Sequence, residues 1–145
     1  MSTKNKTITF FTPKTTSGNG AVLIDVGISA GFPSPADDFR ETRISLDDEL
    51  ITNKDATFFA KVSGQSMIGA GLDDNDLLVI DRSLEPANNK IAVCFLDGEF
   101  TVKRLRVEGR DVWLQPENPD YPVIKITEDL DFVIWGIVTS VIKKV

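Results

Sequence analysis

The sequence predicts a mostly β domain, and three observations carry that prediction. After residue 56, short apolar runs alternate with turn-forming residues, a pattern typical of several consecutive strands. The pair Asp97-Gly98 separates two such runs and is typical of a tight hairpin turn. Helical patterns are confined to short pieces, Leu46–Ile51 and the turn that follows Ser66. With 145 residues, the chain is long enough for one domain with its own core.

The predicted strands follow one another in chain order. Ala21–Val26 is a short apolar run that can pair with the body of the domain. Thr57–Val62 is rich in β-branched and aromatic residues, and Leu77–Asp81 is a continuous apolar run typical of a buried strand. The remaining predicted strands are Ile91–Leu96, Glu99–Arg106, Val112–Leu114, Val123–Ile126 and Phe132–Ile142.

Residues 1–30 are predicted to form a flexible N-terminal arm, and residues 31–145 to form the folded domain. The arm is rich in Thr, Ser, Lys and Gly, and Ser17–Gly20 is typical of a flexible breaker. Phe32–Pro35 is predicted to be extended, because each proline fixes its own φ and disfavours the helical conformation of the residue before it.

The charge of the chain is unevenly distributed. The formal net charge is −6, and residues 1–30 carry three lysines against one aspartate, which leaves −8 for residues 31–145. Such an acidic domain argues against direct nucleic-acid binding, which neutralises phosphates with Lys and Arg, and it favours protein partners. An acidic surface that serves solubility alone is the alternative.

We predict no cofactor, no metal ion and no membrane association. The amino terminus lacks the apolar stretch of a signal peptide or transmembrane helix, and a lone cysteine, Cys94, cannot form an intramolecular disulfide. We therefore expect a cytoplasmic protein in which Cys94 is buried and inert. His/Cys clusters for zinc and a Gly-rich phosphate loop are absent, and Asp73–Asp76 lacks the spacing of a calcium loop.

Ser66 is the candidate nucleophile. The chain contains no histidine, so a Ser-His-Asp triad is excluded and a reactive serine needs another base, for which lysine is a known substitute. Ser66 follows a predicted strand and Gly64, at the start of an apolar turn. At such a turn, the backbone N–H groups of Gln65 and Ser66 can point at a developing oxyanion. Taken alone, a Gly-x-Ser sequence is more often a simple turn.

Lys103 is the candidate base. In the alternating run Glu99–Arg106, Phe100 and Val102 share one face of the strand, and Lys103 lies on the other. A strand lysine more often faces solvent, and a free lysine, with a pKa near ~10.4, is a poor base at neutral pH. Burial beside Ser66 would lower that pKa and yield a neutral amine able to accept the serine proton.

Ala30 and Gly31 are the candidate cleavage site. They are two small residues within an extended segment that is followed by prolines, and small side chains allow a backbone to approach a crowded nucleophile closely. Without the other two features, this segment would be an ordinary linker.

These features occur together in a known family. The chain resembles the UmuD-type proteins, self-cleaving subunits of error-prone DNA polymerases within the LexA-like serine peptidases, from about Val26 to the C-terminus. The matching segments are Ala30–Ala36, Ser63–Ile68, Asp76–Asp81 and Asp97–Leu105. Residues 1–25 show no specific match.

The resemblance implies a LexA-like fold, a reaction and a set of partners. Ser66 would be the nucleophile, Lys103 the general base, and Ala30-Gly31 the scissile bond, so the retained product would comprise residues 31–145. Family members form homodimers, are stimulated to self-cleave by RecA filaments on single-stranded DNA during the SOS response, and join a UmuC-type polymerase subunit for translesion synthesis. Repressors of the family carry an N-terminal helix-turn-helix, which thirty residues of this composition cannot supply.

Two alternatives remain open at the level of sequence. A signal-peptidase-like Ser-Lys protease would require a membrane anchor, which the sequence does not show. A non-catalytic regulator of a polymerase or of a RecA filament would act through the acidic surface, and its cellular phenotype would be unchanged by Ser66→Ala.

Overall fold

The computed structural model describes residues 8–14, 21–24 and 41–145. Its strands and its α-helix, in chain order, are β1 (Ile8–Phe11), β2 (Ala21–Ile24), β3 (Glu41–Ile44), α1 (Leu46–Leu50), β4 (Thr57–Val62), β5 (Leu77–Asp81), β6 (Ile91–Leu96), β7 (Glu99–Glu108), β8 (Asp111–Gln115), β9 (Ile124–Lys125) and β10 (Phe132–Ile142). Among the described residues, 8–13 and 53–145 form one compact unit, and 14, 21–24 and 41–52 belong to another.

The larger unit is built on an eight-stranded sheet. Its strands lie in the order β1-β4-β5-β10-β6-β7-β8-β9, and every neighbouring pair is antiparallel. The hairpin between β6 and β7 turns at Asp97 and Gly98, both of which have positive φ, as a tight hairpin turn requires. The prediction of a mostly β fold is confirmed.

The smaller unit pairs β2 with β3 antiparallel, in register from Ala21 opposite Ile44 to Ile24 opposite Glu41. The helix α1 follows directly. The side chain of Ser45 accepts a hydrogen bond from the Asp48 N–H, which caps the first turn, and acidic residues in that turn complement the helix dipole.

The seven strands predicted after residue 56 are all present, with ends shifted by two residues or fewer. The predicted helix at Leu46–Ile51 is α1, and the turn after Ser66 is a 3-10 helix over Ile68–Ala70. Two strands, β1 and β3, were not predicted. Each is short and lies next to polar residues in the sequence, and each is completed by pairing with another strand, β1 with β4 and β3 with β2.

The division of the chain at residue 30 stays a prediction, because residues 25–40 lie outside the described part of the structure. Within the predicted arm, however, Ile8–Phe11 is a strand of the large sheet and pairs with β4. This segment is therefore packed on the domain in the intact chain.

Most buried apolar side chains of the large unit fall into two clusters. One cluster comprises Ala60, Met67, Leu72, Leu78, Ile80, Val93 and Val102; the other comprises Ala92, Cys94, Leu105, Leu114 and Ile137. Cys94 is completely buried, as predicted. Desolvation raises the pKa of its thiol to about 12, so the reactive thiolate is scarce at neutral pH.

Lys143, just after β10, forms ion pairs with two aspartates of the loop before β5. Its Nζ lies 2.5 Å from Asp73 Oδ2 and 2.6 Å from Asp76 Oδ2, and Asp76 is only 6% exposed. Desolvation raises the pKa of Asp76, but hydrogen bonds from Lys143 and the Asp73 N–H, together with the Lys143 charge, hold it below its usual value. The ionised Asp76 therefore stabilises the fold at neutral pH, and this contribution is lost as the pH falls through its folded-state pKa.

Lys143→Gln should lower the melting temperature by a few degrees at pH 7, because it leaves the buried Asp76 carboxylate without its cationic partner. The deficit should shrink as the pH falls towards the point at which Asp76 becomes protonated. Thermal melts followed by circular dichroism from pH 7 to pH 3 would measure this, with Lys144→Gln as the control of equal charge. Equal melting temperatures for both variants at pH 7 would contradict the assignment.

Candidate active site

The turn that carries Ser66 leaves the end of β4. Gly64 has a φ of 125°, a conformation that favours glycine, and its N–H donates a hydrogen bond of 2.5 Å to Asp74 Oδ1. Met67, the residue after Ser66, is 3% exposed and belongs to the first buried cluster. The turn is therefore held on both sides of Ser66.

A second loop, after β8, supports the same turn. The Asn118 side-chain amide donates to the Gln65 carbonyl at 2.8 Å, and the Gly69 N–H donates to the Glu117 carbonyl at 2.7 Å. A Cβ atom at residue 69 would lie 2.5 Å from the Glu117 oxygen, so only glycine allows this approach. These supporting residues could not be predicted, because no local sequence pattern around them indicates the contact.

Lys103 lies in β7, opposite Ala92 of β6, and only 5% of it is exposed. The alternative of a solvent-facing strand lysine is therefore wrong. The Lys103 Nζ lies 2.9 Å from Ser66 Oγ, 2.8 Å from Thr101 Oγ1 and 3.2 Å from the Val102 carbonyl oxygen. The two candidate catalytic side chains, separated by 37 residues in the chain, are thus in hydrogen-bond contact.

These contacts suit a neutral amine. Burial disfavours the charged ammonium form, because the protein interior solvates it less well than water does. A neutral amine has two N–H donors, which Thr101 Oγ1 and the Val102 carbonyl can accept, and one lone pair, which can accept the Ser66 hydroxyl proton. Thr101 therefore orients the amine, a role that the sequence did not indicate.

Two cavities meet at Lys103. The smaller has a volume of about 40 Å³, room for a few water molecules or a small side chain, and its walls include Ser66, Lys103 and Ile8 of β1. The larger, of about 240 Å³, is lined by Leu96, Glu99, Phe100, Thr101, Lys103, Tyr121, Pro122 and Ile124. Lys103 and Thr101 contribute to both, so a segment bound in either cavity would contact the candidate base.

The role of the Gln65 and Ser66 N–H groups at an oxyanion stays a prediction. Ala30 and Gly31 lie outside the described residues. Within residues 8–14, 21–24 and 41–145, no group of three or more His, Cys, Asp or Glu side chains is arranged to hold a metal ion. No helix among these residues is long and apolar enough to span a membrane.

Comparison with known proteins gives consistent matches over most of the chain. A family profile described as Peptidase S24-like matches residues 22–139. Protein MucA of Salmonella typhimurium is 44% identical over 113 residues, which is 77% of each chain. Protein ImpA of Shigella flexneri is 43% identical over 115 residues, 79% of this chain and 78% of the relative. The LexA repressor of Acidithiobacillus ferrooxidans is 36% identical over 119 residues, 80% of this chain and 58% of that protein.

Proposed function

The chain belongs to the Peptidase S24-like family, as its resemblance to UmuD-type and LexA-like proteins predicted, and from that premise we propose that it is a self-cleaving serine peptidase. The proposed reaction is hydrolysis of its own Ala30-Gly31 bond. The observation that carries the proposal is the 2.9 Å contact between Ser66 Oγ and a buried Lys103 Nζ, in a chain that has no histidine.

The first half of the reaction forms an acyl-enzyme. The Ser66 oxygen attacks the Ala30 carbonyl carbon while the neutral Lys103 amine accepts the hydroxyl proton. The negative charge that develops on the Ala30 oxygen is stabilised by the backbone N–H groups of Gln65 and Ser66. The C–N bond then breaks, and the ammonium of Lys103 returns the proton to the departing Gly31 amine. The result is an ester between Ala30 and Ser66.

The second half releases the arm. Lys103, again neutral, accepts a proton from a water molecule, whose oxygen attacks the ester carbonyl; collapse of this intermediate restores the Ser66 hydroxyl and leaves Ala30 as a carboxylate. The smaller cavity is lined by both Ser66 and Lys103, so a residue docked there would contact both candidate catalytic groups. Docking of the arm expels water and further disfavours the charged form of Lys103.

The proposed role in the cell is in SOS mutagenesis. A RecA filament on single-stranded DNA need supply no catalytic group; it accelerates cleavage if it binds the docked state better than the undocked state. The processed chain, residues 31–145, then acts in the cytoplasm as a homodimer and as the accessory subunit of a UmuC-type translesion polymerase. The similarity to MucA and ImpA over more than three quarters of the chain supports this assignment.

Purified full-length protein, incubated alone at rising pH and followed by intact mass, tests the peptidase assignment. We expect fragments 1–30 and 31–145, formed faster at higher pH, and no fragments from Ser66→Ala. Ser140→Ala, a serine-to-alanine change in β10, is the matched control and should cleave normally. Gly31→Glu should fold but not cleave.

The same incubation with RecA, single-stranded DNA and nucleotide tests the stimulation. If the parent stays intact under both conditions, or if Ser66→Ala is cut at the parent rate, the peptidase proposal is wrong. A chain that stays intact yet supports mutagenesis in cells would instead be a non-catalytic regulator of the polymerase or of the filament.

A further inference from the structure

The outermost strand of the large sheet comes from the predicted arm. β1 pairs antiparallel with β4, from Ile8 opposite Val62 to Phe11 opposite Phe59. Because β1 occupies the end of the strand order, its removal would turn β4 into an edge strand with a free row of N–H and C=O groups.

Side chains of β1 fill specific places on the domain. The Phe10 ring lies 5.0 Å from that of Phe100 and 4.5 Å from that of Trp135, measured between ring centroids. Phe58 also contacts Trp135, at 5.2 Å. Ile8 lies on the same face of β1 as Phe10, packs against the first buried cluster and lines the smaller cavity beside Ser66.

The pairing therefore has the features of peptide recognition by strand addition. Main-chain pairing supplies a general interaction, and pockets for alternate side chains supply selectivity, here for an aliphatic residue followed two positions later by an aromatic one. Lys4, Lys6 and Lys14 flank β1, and residues 31–145 carry a net charge of −8, so the domain as a whole attracts a basic segment.

We infer that the outer edge of β4, with Phe58, Phe100 and Trp135, is a strand-binding site that β1 fills in the intact chain. After cleavage it accepts an extended segment of a partner protein with the same aliphatic-x-aromatic pattern and flanking lysines. The second half of this inference rests on the proposed self-cleavage, because Ile8–Phe11 precedes Ala30 and is detached by that cut.

Loss of the covalent tether explains why the occupant changes. A tethered strand is present at an effective concentration on the order of millimolar, whereas a detached arm is present only at the concentration of the protein itself. A four-residue strand makes few contacts to offset its ordering, so β1 is expected to dissociate at micromolar concentrations. A partner segment with the same pattern can then pair with the unoccupied edge of β4.

A fluorescent peptide of residues 4–14 is the probe, and full-length Ser66→Ala is the protein, so that the binding test needs no cleavage. Adding Phe10→Asp to this chain should displace its own β1. We expect the peptide to bind this double variant at least about tenfold more tightly than it binds Ser66→Ala alone, by fluorescence anisotropy. The same peptide with Phe10→Asp should bind at least about tenfold more weakly.

Two further variants control the result. Thr9 and Lys61 are exposed and opposite each other, so a disulfide between Thr9→Cys and Lys61→Cys should hold β1 in place and prevent peptide binding until it is reduced. If circular dichroism shows that Phe10→Asp does not fold, Phe10→Ala replaces it, with a smaller change in the same direction.

Two results would overturn the inference. One is equal peptide affinity for Ser66→Ala and for the double variant with Phe10→Asp; the other is no peptide binding to a folded double variant. Because the test uses chains that cannot cut themselves, its failure is distinct from a failure of self-cleavage. Binding of the peptide to self-cleaved wild-type protein, but not to the uncut chain, would support the second half; equal binding to both would refute it.

Discussion

Lys103→Ala is expected to slow self-cleavage at Ala30-Gly31 by about a thousandfold, within the range that a positioned general base contributes. The variant loses the amine that lies 2.9 Å from Ser66 Oγ, and no histidine elsewhere in the chain can replace it. The rate constant would be obtained from the decay of intact protein, followed by mass spectrometry, with folding checked by circular dichroism.

The pH dependence separates a base from a structural residue. In the parent, the rate should rise with pH while the fraction of neutral Lys103 increases, and level off once the amine is fully deprotonated. Lys103→Arg should be as slow as Lys103→Ala at every pH, because guanidinium stays charged. Lys90→Ala removes an exposed lysine outside the site and should keep the parent profile. A Lys103→Arg variant with the parent profile would exclude a base at this position.

Gly69→Ala is expected to lower the cleavage rate by about a hundredfold, although residue 69 contacts neither reacting group. The added Cβ would lie 2.5 Å from the Glu117 carbonyl oxygen, so the turn must move away from its support and carry Ser66 with it. A displacement of the nucleophile by about 1 Å costs about two orders of magnitude in rate. The rate would be measured as for Lys103→Ala, alongside a thermal melt.

Gly109→Ala is the control for this variant. It adds the same methyl group at the turn between β7 and β8, where a Cβ meets no atom within 4 Å. Its φ of 61° makes alanine mildly strained, so some stability is lost, but cleavage should continue at the parent rate. Equal cleavage rates for the two glycine variants would show that Glu117 does not position Ser66.

Much of the fold follows from local pattern, because the strands after residue 56 have apolar runs and turn residues of their own. The strand β1 does not, since its four residues become a strand only by pairing with β4, about fifty residues later in the chain. The sheet order, which inserts β10 between β5 and β6, likewise depends on distant pairings that no short window of sequence contains.

The nucleophile and the base of the candidate site could be predicted from the sequence, but the residues that position them could not. The absence of histidine made lysine the available base, and the family resemblance selected Ser66 and Lys103. Burial of Lys103 was not evident from strand alternation, because alternation assigns a side chain to a face without saying what covers that face. Thr101 and Asn118 act through tertiary contacts, which leave no local signal.

Because Lys103 lines both cavities, an inhibitor could reach the candidate base from the larger one. The larger cavity, of about 240 Å³, reaches Lys103 through a lining that does not include Ser66. It is smaller than the pockets that usually hold drug-sized ligands, so it suits a fragment with few heavy atoms. A fragment with an acidic group in this cavity would hold Lys103 in its protonated form, and would block the base without reacting with the nucleophile.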